Sequence, residues 1–429
     1  MVANSSSSRS IAGRARNLSA WRPLALRDFR LLFVGQAISL LGDQCYLIAL
    51  PWLVLQMTGS ALAVGAIMTA ATVPRMVFLL VGGAVSDWLS PHRLMVASNA
   101  SRSLVCAILT ALVVMKSVSL WHLFVLAAAF GTLDAFFSPA MKSFIPALLN
   151  EDNLVAGNSL LQGSNMLAKI IGPSLAGFIV AVAGTAAAFG LDTVSFVFVT
   201  VCLLLMRTKR VTLSAEVSGA ATRPKLFASI REGLRYTLRD PAIRSLTIIL
   251  SVIEFAFAGP LTVGLAALAN SKFAGGSKAF GIMVSTLGGG FLLGTLIANW
   301  FKGSRIGFAT YIGALMLGGL LVLLGLAPNL VWACVILAAT ATIGGFLQVL
   351  NAVWFQTRPA PHMLGRVMSV VMLFGFGLTP LSYLIAGALV KVSPALMFTA
   401  NGLFLLTAIL LLLPARRKID EAKPMTVTS

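Results

Sequence analysis

The 429-residue sequence predicts an all-α membrane protein in which twelve transmembrane helices form two related six-helix bundles. Its mean hydropathy is +0.93 and only 10% of its residues are charged, whereas a soluble domain has about 25%. Twelve apolar runs are each long enough to cross a bilayer, and the second half of the chain repeats polar landmarks of the first at a fixed offset. These properties exclude a soluble, collagen-like or disordered protein.

The apolar runs define the predicted crossings, because a helix needs about 20 apolar residues to span the hydrocarbon. The candidate spans are 28–56, 61–86, 94–115, 120–146, 154–183, 186–206, 242–270, 278–301, 306–326, 330–356, 364–391 and 394–414. Residues 1–26, rich in Ser and Arg and without an apolar core, are expected to be a disordered basic cytoplasmic tail and not a signal peptide. We therefore expect an N-terminal bundle at 27–206, a linker at 207–241, a C-terminal bundle at 242–414 and a second cytoplasmic tail at 415–429.

Basic residues set the predicted orientation. The chain has 32 Lys and Arg against 13 Asp and Glu, and in membrane proteins such an excess collects in cytoplasmic loops next to anionic lipid heads. With both termini in the cytoplasm, 25 basic residues fall on that side and four on the other. We therefore expect membrane lipids and not nucleic acid as partners of the positive charge, and the bacterial inner membrane as the location.

Part of the linker 207–241 has the pattern of an amphipathic helix. Two stripes run at four-residue spacing, one apolar and one basic: Leu226, Ile230, Leu234 and Leu238, then Arg231, Arg235 and Arg239. A basic helix lying on the inner leaflet fits this pattern, and a solvated cap on the bundle is the alternative. The linker is too short for a nucleotide-binding domain and the chain has no GxxxxGK[ST] phosphate loop, so ATP-driven transport by this chain alone is excluded.

A shift of 212 residues aligns polar landmarks of the two halves. Leu26-Arg27-Asp28 then falls on Leu238-Arg239-Asp240, just before the first and seventh spans. The same shift places Gly82, Asp87, Trp88 and Arg93 on Gly294, Asn299, Trp300 and Arg305. Two six-helix halves with the same orientation explain the match, and transporters built from such repeats rock two bundles about a central site.

The segment 82–93, GGAVSDWLSPHR, resembles the signature between the second and third spans of the major facilitator superfamily, although its basic part is thin, with only His92 and Arg93. Further stretches are similar to the exporter branch that holds enterobactin exporters and macrolide efflux proteins: 131–139, Pro146, 172–177, 192–196, 232–235 and 365–367. The resemblance covers about 25–414. It implies the major facilitator fold and export, and it leaves the substrate open.

The resemblance also implies roles for two motifs. Asp87, at the inner end of span two, would dock on the positive first turn of span eleven and latch the halves on the cytoplasmic side, with an ordinary loop charge as the alternative. The latch residues are Gly82, Asp87, Arg93, Gly365 and Arg366. A helix-bend motif, associated with exporters in the superfamily, is formed by Gly172, Pro173 and Gly177, with plain helix packing as the alternative.

Charged residues within the spans are the candidates for proton coupling or for the substrate cavity, because a charge at the bilayer centre costs about 2.5–3.5 kcal/mol. The candidates are Asp43, Arg75, Asp134, Lys169 and Glu254. Asp43 and Glu254 lie at nearly equivalent depth under the 212-residue shift, so both are expected to face a shared cavity, where a carboxylate can exchange protons. A structural ion pair with Arg75 is the alternative for Asp43. Lys169 and Arg102 are expected to neutralise carboxylates.

Neither a metal site, a disulfide framework nor an enzyme is expected. The three histidines are scattered, and the four cysteines, Cys45, Cys106, Cys202 and Cys334, lie in apolar runs. The sequence contains no GxSxG or HExxH motif.

The sequence therefore predicts a secondary transporter that exports an amphipathic small molecule, such as a siderophore, an antibiotic or another secondary metabolite, in exchange for protons. We expect a monomer that uses the proton gradient and no cofactor. A lysophospholipid flippase, a nutrient importer or a uniporter on the same fold is the first alternative. A membrane sensor or an intramembrane enzyme is the second.

Overall fold

The computed structural model describes residues 21–88, 90–207, 226–273, 276–298, 300, 305–359 and 363–420. At 79–88, 364–366 and a few other helical positions only the backbone is described. Within these ranges the chain is helical and contains no strand. Eleven of the described helices are long and apolar enough to cross a membrane. The predicted all-α membrane fold is confirmed.

Five long helices form the first half of the chain, preceded by a short 3-10 helix at Arg22–Ala25. They are α1 (Arg27–Thr58), α2 (Ala61–Trp88), α3 (Pro91–Val114), α4 (Leu120–Leu148) and α5 (Glu151–Leu204). Local signals fix where they begin. Pro91 opens α3, where a missing N–H costs nothing. The Nδ1 atom of His122 accepts a hydrogen bond of 3.0 Å from the N–H of Ser119 at the start of α4.

Helix α5 contains two of the predicted spans, 154–183 and 186–206, without a loop between them. Its 54 residues would reach about 80 Å if straight, far more than a bilayer core of about 30 Å. Gly184 breaks the helical geometry with φ 81° and ψ 174°, a conformation that a residue with a side chain rarely adopts. The two arms of α5 therefore account for two crossings, and the eleven spanning helices correspond to twelve spans.

Ten shorter helices and one π-helical turn form the second half. They are α6 (Leu226–Arg239), α7 (Pro241–Gly259), the π-helix Pro260–Gly264, α8 (Leu265–Ser271), α9 (Gly276–Ala298), α10 (Ile306–Leu326), α11 (Leu330–Thr357), α12 (Leu364–Gly377), α13 (Thr379–Val390), α14 (Pro394–Leu411) and α15 (Leu413–Asp420).

Two of the predicted spans in this half are interrupted. The span predicted at 242–270 runs through α7, the π-helix and α8, and the wider turn begins at Pro260, which lacks the N–H of a regular ladder. The span predicted at 364–391 consists of α12 and α13, which meet at Leu378 just before Pro380. Both interruptions coincide with a proline, whose missing N–H removes one hydrogen bond from the helix.

The chain divides into two compact units. The first contains Met1–Ala49 and Val73–Val217, and the second contains Leu50–Thr72 and Ser218–Ser429. The division falls within α1 and α2, so the end of α1 and the start of α2 pack with the second unit. There the Thr69 hydroxyl donates a hydrogen bond of 3.1 Å to the carbonyl of Pro380 in α13.

Small residues allow close helix packing in the second unit. A Cβ on Gly290 of α9 would lie 2.6 Å from the carbonyl oxygen of Ala338 in α11, and Gly294 meets the carbonyl of Thr342 one turn later. Backbones can approach this closely only where the α9 positions lack side chains. Gly290 and Gly294 therefore serve the close packing of α9 on α11.

The outer surface of the helices is apolar. Large side chains such as Val155, Val182 and Leu411 are more than 70% exposed, and many others are exposed by more than a third. Such a surface would aggregate in water and is suited to lipid chains.

Candidate functional site

The first unit contains a polar cavity of about 640 Å³ between α1, α2, α3, α4 and the first arm of α5. Its charged lining residues are Asp43, Arg75, Arg102, Asp134, Lys142 and Lys169. Four of the five candidates named from the sequence for proton coupling or the substrate cavity therefore line one cavity.

Arg102 is the centre of an ion-pair network in this cavity. Its side chain is 4% exposed, and its Nη2 atom lies 2.8 Å from an Asp43 oxygen and 3.5 Å from an Asp134 oxygen. The Nε atom of Arg75 lies 2.9 Å from the other Asp134 oxygen. The expected neutralising role of Arg102 is observed. The alternative pairing of Asp43 with Arg75 is not, because Arg75 pairs with Asp134 and Asp43 with Arg102.

Aromatic rings hold the Arg102 guanidinium in place. Its central carbon lies 4.2 Å from the ring centre of Phe196 and 4.7 Å from that of Phe130, and Phe137 is at 5.9 Å. Tyr46 stacks on Phe130 with ring centres 4.2 Å apart. A cation over ring faces is stabilised by the ring quadrupole, most strongly where water is excluded. Phe137 lies in the motif 131–139, and Phe196 lies in the motif 192–196. These two motifs were the sequence signal that could have indicated the aromatic rings around Arg102.

Asp192 is a buried carboxylate that the sequence analysis did not place in the site. It is fully buried, and the Cys106 thiol donates to its Oδ2 atom over 3.3 Å. The Ser195 hydroxyl donates to its backbone carbonyl over 2.8 Å. Its position directly against Gly42 of α1, next to Asp43, shows that the carboxylate belongs to the wall behind the network and not to the cavity.

Lys169 and Lys142 line the same cavity from α5 and α4. Neither ammonium group forms an ion pair with any carboxylate in the described part of the chain. The expectation that Lys169 neutralises a carboxylate is therefore not met by the described residues. The helix-bend motif lies just beyond Lys169, where Gly172 packs against the Gln44 side chain and Pro173 is inside α5.

The second unit contains a separate, apolar cavity of about 500 Å³. Its walls include Leu250, Ile253, Phe257, Leu287, Phe291, Leu347, Phe355 and Met368. Glu254 of α7 is the one ionisable group among the described lining residues, and no described Lys or Arg forms an ion pair with it. Thr340, Gln348 and Asn351 of α11 are further polar residues in the wall, and the Asn351 amide oxygen accepts a 2.8 Å hydrogen bond from Thr310.

The predicted latch falls largely outside the described side chains. Gly82 and Asp87 lie in α2, and Gly365 and Arg366 lie in the first turn of α12, but only the backbone is described at these four positions. Arg93 is exposed in the first turn of α3. The neighbouring His92 ring places its Nε2 atom 2.8 Å from the carbonyl of Leu203.

Asp240 is a structural carboxylate that sequence analysis marked only as part of the repeat. It caps α7 by accepting hydrogen bonds from the N–H groups of Ala242 and Ile243, at 2.9 and 3.2 Å. Its other oxygen pairs with Arg358 at the end of α11, at 3.1 Å. The repeat partner Asp28 accepts a hydrogen bond of 3.3 Å from the N–H of Arg207.

The described residues offer no alternative metal or disulfide chemistry. No group of three or more His, Cys, Asp or Glu in the described ranges could hold a metal ion. The four cysteines are unpaired.

Comparisons with known proteins agree with the fold and with transport. A family model described as "Transmembrane secretion effector" matches residues 18–427. The multidrug efflux pump Tap of Mycolicibacterium fortuitum is 27% identical over 416 residues, covering 93% of this chain and 98% of Tap. The staphyloferrin A transporter of Staphylococcus aureus is 24% identical over 359 residues, covering 83% of this chain and 86% of the relative.

Solved structures match the whole helical architecture. A crystal structure of a POT family transporter in complex with 5-aminolevulinic acid has a TM-score of 0.71, covers 93% of this chain and 96% of its own, and is 14% identical. At that identity the likeness shows the shared fold.

Proposed function

Because the chain belongs to the transmembrane secretion effector family of the major facilitator superfamily, we propose that it exports an amphipathic small molecule in exchange for protons, with Glu254 carrying the proton. The family and the relatives are transporters and not enzymes. Tap is named as a multidrug efflux pump, which supports the outward direction, and the staphylococcal relative is named as a staphyloferrin A transporter, which supports a small-molecule cargo.

The observation that carries the assignment of Glu254 is its isolation. Its cavity is apolar, and no described basic side chain pairs with it. Binding a proton there removes a costly charge and breaks no ion pair. Release to water restores the charge once the cavity is hydrated. A group that gains and loses a proton without dismantling its surroundings is suited to coupling.

Asp43 and Asp134 are suited to a different role. Each is held by Arg102, and Asp134 also by Arg75, so protonating either one would weaken the ion-pair network around the buried Arg102 guanidinium. We assign this network to the architecture of the first unit. The predicted latch at Asp87, Arg93 and Arg366 remains part of the proposal, supported by the motif resemblance.

The charge pattern supports a location and an orientation in the membrane. We place the protein in the bacterial inner membrane as a monomer, with both termini in the cytoplasm, because basic residues concentrate on that side. The exposed Arg231, Arg235 and Arg239 of α6 would meet the anionic heads of inner-leaflet lipids.

The test is proton release from energised inside-out vesicles that contain the wild-type protein. A panel of siderophores, macrolides and cationic dyes is added, and internal pH is followed with a quenched dye. We expect one class of compound to trigger proton release, and Glu254→Gln to abolish this response. Glu232→Gln, which changes an exposed carboxylate on α6, is the matched control and should respond like wild type.

Two results would contradict the proposal. Labelled cargo that moves without proton release would favour a uniporter or a lipid flippase. Loss of release in Asp134→Asn, with Glu254→Gln fully active, would move the proton to the network of the first unit.

A further inference from the structure

The polar cavity of the first unit carries more positive than negative charge. Four basic side chains line it, from Arg75, Arg102, Lys142 and Lys169, against the two carboxylates of Asp43 and Asp134. Both carboxylates are already ion-paired with the two arginines. Asp192 lies behind the wall, and counting it as ionised still leaves an excess of positive charge. The two lysines supply that excess.

The lysine ammonium groups lack a counter-ion within the described structure. The side chains of Lys142 and Lys169 are exposed, and no described carboxylate pairs with them. Because both side chains line the cavity and are exposed, their ammonium groups are open to an anion from outside the chain.

A third group points to the same ligand chemistry. Gln36 of α1 lines the cavity, is 5% exposed, and its amide nitrogen has no hydrogen-bond partner among the described residues. A buried donor left unpaired costs about 1–3 kcal/mol, which an acceptor on a ligand would recover. Asn165 on α5 and Ser39 on α1 add further polar groups to the lining.

The apolar cavity of the second unit offers nothing comparable. Its described lining contains the Glu254 carboxylate and no basic residue. An anion placed there would be repelled and would have no cationic partner. The two cavities are therefore of opposite electrostatic character.

We propose that the cavity lined by Gln36, Lys142 and Lys169 binds an organic anion, with a carboxylate of the cargo held by the lysine ammonium groups and the Gln36 amide. The inference rests on the proposed transport function and names the chemical class of the cargo. It does not depend on proton coupling, because binding is measured at equilibrium without a gradient. Ion-paired hydrogen bonds to a carboxylate are the strong, charge-assisted kind.

The test uses radiolabelled citrate as a polycarboxylate probe and the full-length protein in phosphatidylcholine nanodiscs. We expect saturable binding that excess unlabelled citrate displaces and that its uncharged trimethyl ester does not. Removing one charge-assisted contact costs about 1.5–3 kcal/mol. The Lys169→Gln variant should therefore bind citrate with an affinity at least tenfold lower than that of wild type. Lys169→Arg should retain binding. Lys272→Gln, which removes an exposed lysine that lines neither cavity, should bind like wild type.

A lipid phosphate could supply the same chemistry, and a second set of nanodiscs separates the two sources. Citrate affinity that is unchanged when half of the lipid is phosphatidylglycerol supports a soluble anion. Citrate binding abolished by phosphatidylglycerol assigns the lysines to lipid heads and overturns the proposal. Absence of citrate binding, equal displacement by the ester, or equal affinity in Lys169→Gln also overturns it. Proton release that fails while citrate binding survives would count against the coupling mechanism alone.

Discussion

The hydroxyl of Ser382 occupies the place of a backbone hydrogen bond at Gly259. The Gly259 N–H donates to this hydroxyl at 2.7 Å, and the hydroxyl donates to the carbonyl of Phe255 at 2.6 Å. In a regular helix these two backbone groups would bond to each other. A side chain of α13 is thus inserted into the ladder of α7, one residue after Glu254 and just before the π-helix.

Ser382→Ala should loosen this junction. The variant removes both hydrogen bonds, and Phe255 and Gly259 must either bond directly or remain unpaired, since Gly259 is buried. We expect faster amide exchange in the peptide that covers 255–264. The peptide that covers 245–252 in the same helix serves as the internal reference. Ser251→Ala, which removes a hydroxyl bonded only within α7, is the control variant. An unchanged rate of amide exchange at Gly259 in Ser382→Ala would show that the two hydrogen bonds of the Ser382 hydroxyl do not stabilise this junction.

Removing Arg102 should cost far more than removing either of its carboxylate partners. Arg102→Met leaves Asp43 and Asp134 close together and short of a counter-ion, and loss of one partner of a buried pair costs about 3–5 kcal/mol. Unfolding in a detergent titration measures the loss. The double variant Arg102→Met/Asp43→Asn should recover part of it, because one unpaired charge has gone. Arg102→Lys should not substitute, since an ammonium lacks the flat guanidinium that lies over the rings of Phe130 and Phe196. Additive single and double effects would exclude coupling between Arg102 and Asp43.

Neighbouring glycines in α9 should respond in opposite ways to alanine. A Cβ on Gly290 meets the backbone of Ala338, so Gly290→Ala should push α9 from α11 and destabilise by about 1–3 kcal/mol. A Cβ on Gly289 has nothing within 4 Å. Gly289→Ala should therefore be neutral or stabilise by up to about 1 kcal/mol, the helix preference of alanine over glycine. The thermal unfolding midpoints of the two purified variants test this prediction. Equal shifts of the two midpoints from wild type would contradict the close packing of α9 on α11.

Asp240 should contribute to stability through two separable interactions. Asp240→Asn keeps an oxygen that can cap α7 and loses the charge opposite the largely buried Arg358, so the expected loss is about 1–3 kcal/mol. Asp240→Ala loses the cap as well, and its loss should be larger by about 1 kcal/mol. Denaturation midpoints of the two variants give the difference. Equal losses would mean that the cap at α7 contributes nothing measurable.

The crossings could be predicted from the sequence because hydropathy is a property of each segment by itself. The twelve apolar runs and the resemblance to exporters could both be identified in local sequence. The merging of two spans into α5 was not, because Gly184 lies among other small residues and only its backbone angles reveal the break. The interruption at Leu378 was signalled by Pro380, but a proline inside an apolar run also occurs in helices that merely bend.

The site was predictable as a set of residues and not as a set of pairs. Mid-span charges are rare enough to stand out, so Asp43, Asp134 and Glu254 were found by depth alone. Which arginine faces which carboxylate depends on helix rotation, and a rotation of one residue would reverse the choice. Asp43 was therefore paired with Arg75 as the alternative, whereas Arg102 holds it. The isolation of Glu254 emerged only once the side chains around it were in place.

The break at Gly184 has a practical consequence for work on the protein's topology. Two crossings meet there without an intervening loop, and helical residues adjoin Gly184 on both sides. Epitope tags or protease sites introduced at this point would interrupt a helix and would have no loop to occupy. The exposed turn at Lys116 and the exposed Pro328, each between separate helices, are positions where a topology reporter can be inserted into a loop.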